Sequence, residues 1–190
     1  MIIDISKGPD AAAYKVSFMS DVADPVATFN NDTFKTTKIV LKKVPACSFW
    51  MGATEADVPW MTNNGARVSS RSEVPRHYVT LTKDYYLGVY ELTIAQYKKI
   101  GGAWPLKNTD PYYSANEPLR PAHCLRDTTL RSDVSVAETA SNTLLGKLSA
   151  KNGNVYKFEY PTEAQWENAA HAGVAGERYD GTVGTFSDAE

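Results

Sequence analysis

The sequence predicts an α+β fold rather than a doubly wound α/β sheet. Candidate strands come first along the chain, and a helix, a long loop and two further helices follow them. These segments do not alternate as β-α-β units, and no internal repeat is visible. Separate runs of strands and helices favour an α+β fold.

Composition and charge exclude several classes of function. The 190 residues are 43% hydrophobic and 22% charged, and the net charge is −2 without a run of Lys or Arg. This balance is ordinary for a globular domain, and no nucleic-acid partner is expected without a basic surface. No apolar stretch approaches the roughly 20 residues that a membrane span needs. Residues 1–5 lack the basic start of a signal peptide, so a cytoplasmic location is expected for the chain as given.

The first strands are read from β-branched and aromatic runs. Residues 14–19 form one candidate strand in the N-terminal segment, and residues 38–44 form a stronger one that ends at Pro45. Residues 47–52 then resume an extended run. Residues 54–74 are polar and rich in turn residues, which predicts a long surface loop and a candidate binding loop.

Two more strands follow that loop. Residues 77–82 alternate with period two, as a half-buried strand does, and residues 85–90 form the next run. The Lys83-Asp84 connection is short enough for a hairpin, although it lacks the glycine that such turns favour. We therefore expect these two strands to pair.

A capping box predicts the first longer helix. The Thr93 hydroxyl is placed to accept an early helix N–H, and the Gln96 side chain can reach back to the Thr93 backbone. The helix is expected over residues 94–100 and should stop at Gly101. Residues 104–121 hold four prolines and few periodic apolar residues, so they are expected to form a loop.

Two further helices are expected beyond that loop. Residues 140–151 place three leucines on one face. A second capping box, Thr162 with Gln165, begins a helix that runs to about His171. Trp166 is expected to point inward from this helix and to anchor it.

The cysteines and histidines suggest no obvious metal site. Cys47 and Cys124 do not form a disulfide framework, and two separate packed thiols are the favoured interpretation. His123 and Cys124 could join His77 or His171 in a zinc site, but the spacing typical of zinc ligands is missing. A structural role is therefore preferred for all of them.

Acidic and aromatic residues raise two further candidates. Glu163 and Glu167 lie four residues apart on one helix, where a helix-terminus role and a structural role are preferred over acid–base catalysis. A surface for peptide or sugar could form from exposed aromatic residues, although core filling explains most of them as well. The aromatic residues in or beside the expected loops are Trp50, Trp60, Trp104, Tyr112 and Tyr113.

Five segments, in order, resemble one family, the formylglycine-generating enzymes and their sulfatase-modifying-factor relatives. Residues 44–52 resemble its opening Pro-Ala-Gly-x-Phe-x-Met-Gly pattern. Residues 160–170, Tyr-Pro-Thr-Glu-Ala-Gln-Trp-Glu-Asn-Ala-Ala, are similar to its Leu-Pro-Thr-Glu-Ala-Glu-Trp-Glu-Tyr-Ala-Ala block. Residues 73–81, 86–97 and 120–123 match the segments between them.

This resemblance implies a fold related to C-type lectins, with little regular secondary structure. It divides the chain into an N-terminal extension at residues 1–36, of a kind found on some bacterial members, and a partial domain at residues 37–190. Three departures from the pattern stand out: Cys47 replaces a glycine, Tyr160 a leucine and His171 an arginine.

The resemblance also implies a reaction. Complete members oxidise a protein cysteine to formylglycine with a thiolate pair that binds copper(I), and calcium loops often accompany it; soft thiolates suit that metal. Nothing up to Glu190 matches the catalytic cysteine region, so no catalytic, cofactor-binding or metal residue is assigned. The domain is expected to be C-terminally truncated and inactive alone, with a protein or peptide as the partner of the complete form.

Two alternatives to this oxidase interpretation stay open. The first is a non-catalytic C-type-lectin-like binding module that displays variable loops. The second is a family member that works on another substrate, such as an iron enzyme that forms carbon–sulfur bonds.

Overall fold

The computed structural model describes residues 1–20, 22–55, 73–102, 117–123 and 143–172. The chain divides into two compact units, of which unit 1 contains Met1–Lys42 and Gly88–Tyr160 and unit 2 contains Lys43–Leu87 and Pro161–Glu190. The strands are β1 (Ile2–Asp4), β2 (Lys15–Ser17), β3 (Lys38–Val44), β4 (Cys47–Met51), β5 (His77–Leu81) and β6 (Tyr85–Gly88). The helices are α1 (Pro25–Phe29), α2 (Thr33–Thr36), α3 (Ile94–Ile100), α4 (Leu144–Ala150) and α5 (Glu163–His171).

The described elements agree with the predicted α+β class, because they combine short helices with small sheets. One sheet has the strand order β2-β1-β3-β6, and β4 pairs with β5 in a second sheet. β1 lies antiparallel to both β2 and β3, with Ile3 opposite Val16 on one side and Ile39 on the other. The sequence analysis did not foresee β1, because three residues carry too little pattern to identify a strand.

The core of unit 1 forms around β1, α3 and α4. Ile5 is fully buried, and Tyr97 and Ile100 of α3 are 1% and 2% exposed. These side chains belong to one apolar cluster that also contains Ile3, Ala11, Tyr14, Leu144 and Leu148. The first residues of the chain therefore fill the core of this unit.

Helix α3 has the bounds and caps that the sequence predicts. The Gln96 backbone N–H donates to Thr93 Oγ1 at 3.2 Å, and the Thr93 N–H donates to Gln96 Oε1 at 2.9 Å. Gly101 ends the helix with a φ of 102°, in the left-handed region that glycine adopts readily. The capping box is thus confirmed in both directions.

The predicted hairpin between β5 and β6 is wrong. β5 pairs antiparallel with β4, with Phe49 opposite Val79, while β6 belongs to the other sheet. The turn between β5 and β6 is bound to residues outside these two strands. Asp84 Oδ1 accepts from the Ala46 N–H at 2.9 Å, and Asp84 Oδ2 lies 2.6 Å from Lys43 Nζ. These bonds hold the turn against the start of β4, so β5 and β6 diverge.

Of the last two helices, α4 is shorter than predicted and α5 has the predicted bounds. Residues 124–142 lie outside the described part, and α4 begins at Leu144 after a Thr143 cap. The capping box of Thr162 and Gln165 is confirmed at the start of α5. None of the helices in the described ranges has the length and apolar character of a membrane span.

The inward orientation predicted for Trp166 is wrong, since its side chain is 62% exposed. The buried residue of α5 is Asn168, which is 7% exposed. Two residues along an α-helix are about 200° apart around its axis, so Asn168 and Trp166 face nearly opposite directions. The helix is anchored through a polar side chain instead of an aromatic one.

Candidate functional site

Unit 2 has a layered arrangement in which α5 packs on the two strands β4 and β5. Residues of β4 alternate along the strand: Cys47, Phe49 and Met51 are half-buried, while Ser48 and Trp50 are exposed. Successive side chains of a strand point to opposite faces. The sheet therefore has an inner face against α5 and an outer face in solvent.

The inner face holds a chain of three side-chain hydrogen bonds. The Cys47 thiol donates to Asn168 Oδ1 at 3.2 Å, and Asn168 Nδ2 donates to the Tyr85 hydroxyl at 3.2 Å. That hydroxyl donates in turn to the Gln165 carbonyl oxygen at 2.6 Å. Both ends of the buried Asn168 amide thus have partners, as a buried polar group requires.

A second polar contact joins α5 to the turn after β4. The Gly52 N–H donates to Glu167 Oε1 at 2.8 Å. Gly52 has a φ of 83°, and a Cβ there would lie 2.3 Å from the Glu73 carbonyl oxygen, so only glycine fits. His171 Nε2 lies 3.8 Å from the same carboxylate. Glu167 therefore has the structural partner that the sequence analysis preferred for it.

Glu163 lies in the first turn of α5 and is exposed. A carboxylate in the first turn interacts favourably with the helix dipole. Its position therefore supports the helix-terminus role preferred from the sequence.

Cys47 stands in the opening strand motif, whereas the resemblance implies a copper-binding thiolate pair in a catalytic cysteine region that nothing in this sequence matches. The thiol is free and half-buried, and its Sγ lies 3.2 Å from Asn168 Oδ1. Copper(I) prefers soft thiolate ligands, and the described residues place no second thiol beside Cys47. Cys124 lies outside the described residues, so the structure tests only Cys47, and no reaction step is derived through the metal.

The zinc hypothesis finds no support in the geometry. In the described ranges, no group of three His, Cys, Asp or Glu side chains is placed to hold a metal ion. His77 Nδ1 is instead 3.0 Å from the Pro75 carbonyl oxygen. His171 Nε2 lies 3.8 Å from Glu167 Oε1, and Cys124, which was to act with His123, is outside those ranges.

The outer face of the β4–β5 sheet carries exposed aromatic side chains. Trp50 and Tyr78 are directly opposite each other, with ring centroids 5.2 Å apart and an interplanar angle of 62°. Beside them, the hydroxyls of Ser48 and Thr80 are 2.9 Å apart. The other aromatic candidates, Trp60, Trp104, Tyr112 and Tyr113, lie outside the described residues.

Unit 1 has an open cavity of about 260 Å³. Its lining residues are Lys35, Tyr90, Glu91, Thr93, Leu119 and Pro121. Lys35 Nζ lies 5.2 Å from the Tyr90 ring centroid, and Thr93 Oγ1 donates to the Lys35 carbonyl oxygen at 2.5 Å. Among the described residues, the lining contains neither cysteine nor histidine.

The sequence model of one family, the sulfatase-modifying factor enzyme 1-like domain, matches residues 27–189. The chain belongs to this family. Comparison with curated proteins and with solved structures gives no significant match.

Two departures from the sulfatase-modifying-factor motifs lie in contact with each other. Cys47 stands where the opening pattern has glycine, and Asn168 stands where the helix block has tyrosine. Their side chains share the 3.2 Å hydrogen bond on the inner face. Cys47 is recognisable from the sequence as a departure from the motif, whereas Asn168 and Tyr85 were not predicted to take part. The substitution of asparagine within the block was the available signal for Asn168, whereas no sequence signal identified Tyr85.

Proposed function

We propose that this sulfatase-modifying-factor family member oxidises a protein cysteine to formylglycine with oxygen as the oxidant. The family match over residues 27–189 is the observation that carries the proposal. The five motif segments, found in the family's order, support it as well.

In this proposal, the layered arrangement of unit 2 is a scaffold and the oxidation is assigned to cysteines other than Cys47. Cys47 Sγ is hydrogen-bonded to Asn168 Oδ1, and the thiol is half-buried beneath α5. A reactive cysteine must be accessible to its substrate. Packing against α5 restricts that access at Cys47.

The test uses the protein and its Cys47→Ser variant. Each is incubated with a cysteine-containing sulfatase-type peptide, copper(I) and oxygen, and formylglycine is measured by mass spectrometry. We expect both proteins to form the product at the same rate. Absence of product from the folded protein would refute the proposed activity. Product that disappears in Cys47→Ser would refute the assignment of the oxidation to other cysteines.

A second candidate function is a non-catalytic binding module. The exposed Trp50 and Tyr78 pair favours it, because paired surface aromatics offer a contact area without a reactive group. Saturable binding of a ligand without any formylglycine formation would distinguish this function from the oxidase.

A further inference from the structure

The outer face of the β4–β5 sheet exposes two large aromatic side chains that the core does not use. Trp50 is 55% exposed and Tyr78 is 60% exposed, although they contact each other edge-to-face. The inner face of the same strands supplies the residues that pack against α5. Burial within unit 2 therefore does not explain this aromatic pair.

The polar ends of the two rings are also available. Within the described residues, the contacts of Tyr78 are its strand pairing and the Trp50 ring, and neither the indole N–H nor the phenol hydroxyl has a hydrogen-bond partner. Trp and Tyr combine a large apolar surface with one hydrogen-bonding group. The pair can therefore bind a ligand by packing and by donating hydrogen bonds.

Arg76 adds a positive charge to this face. Its guanidinium carbon lies 6.0 Å from the Trp50 ring centroid, and across the described ranges Arg76 forms no ion pair. Neither β4 nor β5 contains an Asp or Glu. A guanidinium binds carboxylates through two parallel hydrogen bonds. The charge of the face is thus complementary to an acidic ligand.

Trp, Tyr and Arg are the residue types that most often contribute the binding energy of protein interfaces. We propose that the outer face of β4–β5 is a docking surface for an extended acidic segment of a partner protein. A carboxylate of the segment pairs with Arg76, and a neighbouring apolar side chain packs on Trp50 and Tyr78. Ser48 and Thr80 provide a polar rim. This docking does not depend on the proposed oxidation.

The probe for this surface is a short labelled peptide in which Glu and Pro alternate, compared with its Gln–Pro counterpart. Proline keeps the peptide extended and packs well on aromatic side chains. Fluorescence anisotropy with the full chain should show saturable binding of the acidic peptide, and rising salt should weaken it. Trp50→Ala should raise Kd at least about tenfold and Arg76→Gln about fivefold.

Two matched variants serve as controls. Trp166→Ala removes another tryptophan that is 62% exposed, and Lys83→Gln removes another exposed positive charge of unit 2. Both should leave Kd unchanged, and circular dichroism should show that every variant is folded. If Trp50→Ala does not fold, Arg76→Gln still tests the docking surface. Arg76 is exposed, so its substitution should leave the fold intact.

Three outcomes would overturn the proposal: no binding of the acidic peptide, equal binding of the Gln–Pro peptide, or equal loss in the control variants. Trp50-dependent binding of an oligosaccharide without peptide binding would also reject it. Self-association through this face, detected by sedimentation and abolished by Trp50→Ala, would identify a second copy as the occupant instead.

Discussion

Removal of the Asn168 side chain should loosen α5 from β4. In the Asn168→Ala variant, the Cys47 thiol loses its acceptor and the Tyr85 hydroxyl loses a donor. The hydrogen bond from Tyr85 to the Gln165 carbonyl remains, so Tyr85 keeps one partner. A net hydrogen bond contributes about 1 kcal/mol, and the thiol bond contributes less, so the free energy of unfolding should fall by about 1–2 kcal/mol.

The assay is urea unfolding of the full chain, combined with amide hydrogen exchange in α5. Tyr85→Phe removes the hydroxyl that joins Asn168 to the helix backbone, and the double variant completes a thermodynamic cycle. Because the two side chains are in contact, their coupling should be about 0.5–1 kcal/mol. Faster exchange in α5 should accompany each loss. Trp166→Ala is the control on the same helix and should change stability by less than about 0.5 kcal/mol, since Trp166 is 62% exposed.

Strictly additive effects of Asn168→Ala and Tyr85→Phe would show that the hydrogen bonds do not act as one network. A large loss in Trp166→Ala would show that this tryptophan anchors the helix in solution, contrary to its exposure. Either result would refute the reasoning about the inner face.

Three further predictions concern the cap, a glycine and an ion pair. Thr162→Ala should cost about 1 kcal/mol of unfolding free energy in urea, because the N-cap bond of α5 is lost, whereas Thr162→Ser should keep it. Gly52→Ala should lower the melting temperature far more than Gly153→Ala: both residues have positive φ, but only the Gly52 position would place a Cβ against a carbonyl oxygen, at 2.3 Å. The hydrogen bond from Lys43 holds the pKa of Asp84 below its ordinary value of 3.8, so its contribution to stability is present above that pH and is lost as pH falls through the lowered pKa. The melting temperature of Asp84→Asn should therefore decline less in acid than that of the unsubstituted chain.

Each of these predictions has a contradicting result. Equal unfolding free energies of Thr162→Ala and Thr162→Ser would show that the Thr162 hydroxyl does not stabilise α5. Equal losses of melting temperature in Gly52→Ala and Gly153→Ala would show that a Cβ at position 52 meets no steric conflict. If the melting temperatures of Asp84→Asn and the unsubstituted chain fall by the same amount as the pH is lowered, the Asp84 carboxylate does not contribute to the pH dependence of stability.

Local elements could be predicted from the sequence because their determinants are close together along the chain. β3 and α3 have the predicted bounds, and both capping boxes have the expected bonds. A cap is decided within four residues, and a strand by its own alternation. Such features do not require knowledge of which segments meet.

Strand pairing could not be predicted in the same way. The short connection between β5 and β6 favoured a hairpin, but Asp84 binds Lys43 and Ala46, which are about forty residues earlier in the chain. The face of α5 that is buried was misjudged for a related reason. Trp166 is the most apolar residue of the helix, so the sequence favours its burial. The hydrogen bonds of Asn168 to β4 and β6 instead turn the opposite side of the helix toward the sheet, and Trp166 is left exposed.

The contact between Cys47 and Asn168 shows why the site itself lies beyond a motif comparison. Each position, read alone, is one departure from a motif, and the two positions are 121 residues apart. In space the two side chains share a 3.2 Å hydrogen bond, and Asn168 is 7% exposed. A motif comparison considers each position by itself and does not show which positions meet. The polar contact that holds α5 on β4 therefore becomes visible only in the folded chain.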